Sequence, residues 1–149
     1  MFNRWVVLLL TKKIDHKITS NSPILIVDDD DDQLEISQQC YEMSNLENPL
    51  LLLKSGQELL EYMRAVEQGN KLMPELILLD INMPIMTGLE VLNELRKHPY
   101  FKKIPYIWIL TNSQSPMDKD KSERLGANGY LVKPYHIADY IKLFNSMLT

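Results

Sequence analysis

The chain has 149 residues, 45% of them hydrophobic, and a formal net charge of -4. That length suits one domain with a real core. The acidic balance speaks against nucleic acid as a direct partner, since phosphate backbones are held by clustered Lys and Arg, and the single cysteine, Cys40, excludes an internal disulfide.

The N-terminus, "MFNRWVVLLLTKK", has one basic residue and then six apolar ones before Thr11, Lys12 and Lys13 interrupt. A signal peptide needs an apolar region of about 7–15 residues and a small-residue cleavage site. No apolar run reaches the ~18 residues of a membrane span. Residues 1–22 are therefore expected to be an extension of unknown role (an upstream start, an added segment or a short docking strand), with residues 23–149 as the domain. A cytoplasmic location without membrane contact is expected.

From Pro23 onward, short apolar runs alternate with helical patterns. The runs are Ile24–Val27, Leu50–Leu53, Leu76–Leu79, Tyr106–Leu110 and Tyr130–Val132. They are apolar throughout, the mark of strands covered on both faces in a parallel sheet. After the first run the pattern puts Ile36, Cys40 and Met43 on the buried face of a helix. Ser55-Gly-Gln-Glu58 fits a capping box ahead of Leu59, Met63 and Val66, and Thr87-Gly-Leu-Glu90 fits another ahead of Leu92 and Leu95. Ser115-Pro116-Met-Asp118 places a cap and then a proline at the first helical position, with Gly126 as a stop. That fourth helix has only Met117 and Leu125 as apolar anchors, so its local stability should be the lowest. The last helix carries Ile137, Tyr140, Ile141, Phe144 and Met147 on one face. Trp108 reads as packing, and His16, His98 and His136 as surface or helix-end residues. Five strand–helix units with right-handed crossovers give an α/β domain, a doubly wound five-stranded parallel sheet with helices on both faces.

In such sheets ligands sit beyond the carboxyl ends of the strands. There the sequence places Asp28 and Asp29 after "ILIV", Asp80 after "LILL", Thr111 after "YIWIL" and Lys133 after "YLV". Two carboxylates about 4 Å apart repel by roughly 4 kcal/mol at an effective permittivity near 20. Lys133 offsets one charge, and a bound cation would offset the rest. Oxygen ligands without His or Cys favour a hard ion such as Mg2+. A calcium loop starting at Asp28 fails, because Gln33 and Gln39 stand where glycine and glutamate are required. Asp30, Asp31 and Asp32 fit the first turn of a helix, where acidic groups meet the helix dipole favourably. Asp80, at the end of a buried run, is placed to act as a carboxylate nucleophile on phosphorus.

Together "ILIVDDD", "LILLDINMPIMTG", "ILTNS" and "GANGYLVKPY", in order and at matching spacing, resemble the receiver domain of two-component response regulators. The resemblance runs from about Pro23 to Thr149. It implies a (βα)5 flavodoxin-like fold with strand order 2-1-3-4-5 and Asp80 as the phosphoacceptor. The implied metal ligands are Asp28, Asp29, Asp80 and the backbone carbonyl of Asn82, holding Mg2+, with Mn2+ as an alternative ion. Thr111 and Lys133 match the switch hydroxyl and the phosphate-binding lysine, Tyr130 the aromatic switch position, and Lys133-Pro134 a bond commonly cis in that family. Thr87 stands where the family often has aspartate, and Asn82 and Ser113 match positions that tune dephosphorylation.

The implied donor is a histidine kinase or histidine phosphotransfer protein. The implied reader is a downstream protein at the face of helix 4, strand 5 and helix 5, and a dimer is compatible with the sequence. The expected function is that of a stand-alone receiver in a phosphorelay, with catalysis confined to its own aspartate. A haloacid-dehalogenase-type phosphatase is the nearest rival class, but its motif requires Thr or Val where Asp32 stands. A degenerate receiver used only for binding is the other.

Overall fold

Continuous apolar runs form the sheet. Strands β1 (Ile24–Val27), β2 (Leu50–Leu53), β3 (Leu76–Leu79), β4 (Tyr106–Thr111) and β5 (Gly129–Val132) pair in parallel in the order β2-β1-β3-β4-β5. The computed structural model of the chain describes residues 14–148. Helices α1 (Asp31–Met43), α2 (Gly56–Glu67), α3 (Gly88–Lys97), α4 (Pro116–Arg124) and α5 (Ile137–Asn145) alternate with the strands, and a 3-10 turn spans Pro99–Phe101.

Because successive strand side chains point to opposite faces, each strand feeds two cores. Ile24, Ile26, Leu76, Leu78 and Trp108 pack under α1 and α5. Leu25, Val27, Ile77, Leu79 and Ile107 pack under α2 and α3. Trp108 is thus a core residue, and Cys40 is a buried free thiol.

The helix starts follow their caps. Asp30 caps α1 by accepting from the amides of Asp32 and Gln33. Thr87 and Glu90 form a complete capping box on α3. At Ser55 the box is only half made: Ser55 accepts from the Glu58 amide, while Glu58 reaches back to the Lys54 amide instead. Ser115 caps α4, and Gly126, with φ of 100°, supplies the left-handed residue that ends it.

Several faces differ from the sequence pattern. On α1, Leu34, Ser37, Cys40 and Tyr41 are buried, whereas Ile36 and Met43 are exposed. The cause lies on α5, where Tyr140 is buried and its hydroxyl pairs with Ser37 Oγ at 2.8 Å. A buried hydroxyl needs a partner, and turning Ser37 inward turns Ile36 out. On α5, Leu143 joins Tyr140, Phe144 and Met147 in the core, while Ile137 is exposed. On α4, Met117 is 81% exposed and anchors nothing; Ser122 is the buried residue. The Lys133–Pro134 bond is trans, and the cis bond among the described residues is Ile104–Pro105. The tertiary X-Pro amide leaves the two isomers about 0.5–1 kcal/mol apart, so local context selects between them.

Residues 14–22, the described part of the expected extension, lie across the foot of the sheet. Ile14 is fully buried in the α1–α5 core, and its amide donates to Ser146 Oγ. The Ile18 amide donates to the Met147 carbonyl. Lys17 Nζ reaches the carbonyls of Ser146 and Leu148 at 2.7 and 3.2 Å. His16 is buried rather than at the surface: its Nε2 lies 2.9 Å from Glu75 Oε1 and its ring packs, tilted, against Tyr106. His98 and His136 do sit at helix ends, as N-caps of the 3-10 turn and of α5. Trp5 and the rest of the N-terminal apolar run lie outside the described residues.

Candidate functional site

At the opposite end of the sheet, four strands deliver polar side chains to one place. Asp28 leaves the end of β1 and is 3% exposed; Asp80 leaves β3 and is 8% exposed. Thr111 ends β4 fully buried, and Lys133 follows β5 at 5% exposure. Exposed Asp29 completes the group: Asp28, Asp29 and Asp80 each present an oxygen within 4.8 Å of the others. These residues line a cleft of about 270 Å³ together with Asn82.

Backbone geometry fixes the directions. The Asp80 amide donates to the Val27 carbonyl at 3.0 Å, and the Lys133 amide to the Thr111 carbonyl at 2.8 Å, so both residues extend the sheet ladder by one step. One Asp80 oxygen accepts from the Ile81 amide at 2.8 Å. The other faces Lys133 Nζ at 3.5 Å. Lys133 Nζ also donates to Asp28 Oδ2 in a close buried ion pair, and Asp28 Oδ1 accepts from the Asp30 amide at 3.0 Å. Burial pushes the Asp28 carboxyl up; Lys133 and the Asp30 amide pull it down, but it stays above the usual 3.8.

Three carboxylates face one ammonium, which leaves a formal surplus of negative charge in a cleft walled by core. The lining carries neither His nor Cys. An all-oxygen donor set with surplus charge fits a hard divalent ion that keeps part of its water shell, so the residues present suit such a group.

The loop from β3 to α3 holds Asp80 from the other side. The Gly88 amide donates to the Ile81 carbonyl at 2.8 Å. A Cβ at Gly88 would stand 1.9 Å from the Asp80 carbonyl oxygen, so only glycine lets the loop close this tightly. Within the loop Ile85 has φ of 69° and is fully exposed. A left-handed β-branched residue costs about 1–3 kcal/mol, which places backbone strain five residues from Asp80.

A second polar group adjoins the cleft. Ser113 Oγ donates to Asp118 Oδ2 at 2.6 Å, its amide donates to Thr111 Oγ1 at 3.3 Å, and its carbonyl accepts from the half-buried Tyr130 hydroxyl at 2.8 Å. The structure thus brings together Asp28, Asp29, Asp80, Asn82, Thr111 and Lys133, with Tyr130 joined to Thr111 by two hydrogen bonds through Ser113. Sequence reasoning placed Asp118 only as part of a helix start, and Gly88 only inside a capping box. The adjacency of Gly88 to a capping Thr, seven residues after the buried-strand aspartate Asp80, was the one available signal for the close approach.

The chain belongs to the response regulator receiver domain family, whose profile matches residues 24–145. Members are phosphoryl-accepting signalling domains that bind a divalent cation at an acidic pocket, and Asp28, Asp29 and Asp80 form an acidic cluster at the head of this sheet. Among similar proteins is the response regulator Rcp1 of Synechocystis sp., 34% identical over 127 residues that cover 83% of this chain and 86% of Rcp1. A crystal structure of the Mn2+-bound form of Rcp1 superposes with a TM-score of 0.72, at 31% identity, covering 85% of this chain and 91% of that one. The phosphorylated cyanobacterial phytochrome response regulator RcpA gives a TM-score of 0.75 at 28% identity, covering 86% and 91%. No helix among the described residues is long and apolar enough to cross a membrane.

Proposed function

We propose that Asp80 accepts a phosphoryl group from a phosphohistidine on a histidine kinase or histidine phosphotransfer protein. Asp28, Asp29, Asp80 and the backbone carbonyl of Asn82 would hold Mg2+, with Mn2+ as an alternative. When bound, the cation neutralises carboxylate charge and the oxygens of the transferring phosphoryl group. The observation that carries this reading is the convergence of two buried carboxylates, a buried ammonium and a fully buried hydroxyl at one cleft.

Each side chain has a task. The Ile81 amide fixes the Asp80 carboxylate, so its nucleophilic oxygen meets phosphorus without a large reorientation. That oxygen forms the new bond to phosphorus while the phosphorus–nitrogen bond of the donor breaks, and the imidazole recovers a proton. Lys133 turns from Asp28 toward the incoming phosphoryl oxygens and supplies positive charge where negative charge gathers. Thr111 donates its hydroxyl to a phosphoryl oxygen. Its displacement is felt at Ser113 and Tyr130, and the face of α4, β5 and α5 is read by a protein partner. Catalysis is confined to this chain's own aspartate, and the protein works inside the cell beside its kinase.

The test is incubation with a small phosphodonor and Mg2+, followed by intact-mass measurement. The parent should gain one phosphoryl group, and Asp80→Asn none. Equal labelling of Asp80→Asn and parent overturns this reading.

A further inference from the structure

Helix α4 is held differently from its neighbours. Its one fully buried residue is Ser122, Met117 projects into solvent, and Leu125 at its end is half-buried. Apolar contact therefore gives its first turn almost no hold. Beside it, between α3 and α4, lies a cleft of about 410 Å³ with Asp118, Lys121 and Leu125 in its wall. Packed cores resist displacement, but this helix has open volume on one side.

What fixes the first turn is polar. Asp118 Oδ2 accepts from Ser113 Oγ at 2.6 Å, the short length of a charge-assisted bond. The same Ser113 hydroxyl accepts from the Ser115 amide at 3.3 Å, so both its functions are spent within this turn. Its amide and carbonyl meet Thr111 and Tyr130. One residue thus touches both switch-position side chains and the first turn of α4. The nearness of the Asp118 charge to Tyr130 is a further reason, after burial, that the Tyr130 hydroxyl holds its proton more firmly than usual.

We propose that Asp118 is a positioning residue: through Ser113 its carboxylate ties the first turn of α4 to Thr111 and Tyr130, so that movement of Thr111 toward a phosphoryl group on Asp80 is carried into α4. This rests on Asp80 as the phosphoacceptor. The Asp118 carboxylate does not touch phosphate; it determines whether α4 follows.

The experiment uses the full chain, isotopically labelled, titrated with beryllofluoride and Mg2+ while backbone amides are followed by NMR. In the parent, amides of 117–124 should shift together with those of Thr111 and Lys133. In Asp118→Ala the amides of Ile81 and Lys133 should still titrate at near-parent concentrations. The shifts across 117–124 should fall about threefold or more, as expected when a coupling link is cut. Asp118→Asn keeps an acceptor oxygen for Ser113 and should restore the parental response. Ser113→Ala should uncouple α4 from the other end, and the double variant should be no worse than either single one.

A helix that was only being stabilised would be loosened by Asp118→Ala before any beryllofluoride is added, and Asp118→Asn would not restore its response. An Asp118→Ala response equal to the parent's, or an Asp118→Asn response as weak as that of Asp118→Ala, overturns the inference alone. A parent that does not respond at all overturns the phosphoacceptor reading, and this one with it.

Discussion

Strand β3 joins two opposite solutions to the same problem. At its foot, Glu75 is a carboxylate 8% exposed, and the chain satisfies it completely. His16 Nε2 lies at 2.9 Å, the Thr19 amide at 2.8 Å, the Thr19 hydroxyl at 3.2 Å and the Ser20 hydroxyl at 2.6 Å. At its head, Asp80 shares one ammonium with Asp28 and lies beside Asp29. The difference teaches how to tell structural charge from receptive charge. A buried acid whose lone pairs are met by donors of its own chain stabilises the fold, and a buried acid left in surplus favours an incoming cation.

The comparison breaks most sharply at the foot. Glu75→Ala strands the imidazole, the amide and two hydroxyls that it now engages. Leaving buried donors unmet costs about 1–3 kcal/mol each, and two of these residues are exposed enough for water to compensate. A loss of about 3 kcal/mol in urea unfolding is expected. No measurable loss would mean that residues 14–22 do not hold the foot together.

The head should respond with the opposite sign. Asp80→Asn keeps the oxygen that accepts from Ile81 and removes one of the crowded charges. Without divalent cation it should stabilise the domain by roughly 1 kcal/mol, a fraction of the ~4 kcal/mol that two charges 4 Å apart exchange at an effective permittivity near 20. Added Mg2+ should then raise the melting temperature of the parent more than that of the variant. Destabilisation by Asp80→Asn in metal-free buffer would show that the head is already balanced.

Acid offers the smallest and most diagnostic effect. Burial opposes the Glu75 charge, yet the bonds from Ser20, Thr19 and His16 outweigh it and hold its carboxyl below the usual 4.5. A depressed folded value means the stabilisation is complete above about 4.5 and is lost as pH falls through the folded value. Asp28 runs the other way: its raised value means that acidification relieves a cost. The gap in urea midpoint between parent and Glu75→Gln, present at neutral pH, should narrow progressively as pH falls below the usual 4.5.

Much of the head was legible because it is written locally. Each strand is an unbroken apolar run, and each charged residue follows its run directly, so a parallel sheet collects them at one edge. The foot was not legible, because Glu75 and its donors His16, Thr19 and Ser20 lie 55 to 59 positions apart, on a segment without periodicity. The α1 face was misread for a related reason: the inward turn of Ser37 is dictated by Tyr140, 103 residues away. Helix α4 has nine residues and almost no apolar content, so no stripe existed from which to fix its buried side.

The contact at Gly88 reaches beyond this one molecule. A position where any side chain would collide with the carbonyl of Asp80 closes one path of inherited change, however mild the substitution looks by chemistry. Three residues earlier, Ile85 stands wholly in water on a backbone that suits glycine or asparagine better, so a change to either should be accepted and relieve strain. A short loop thus carries one letter of the site that resists replacement and one that invites it.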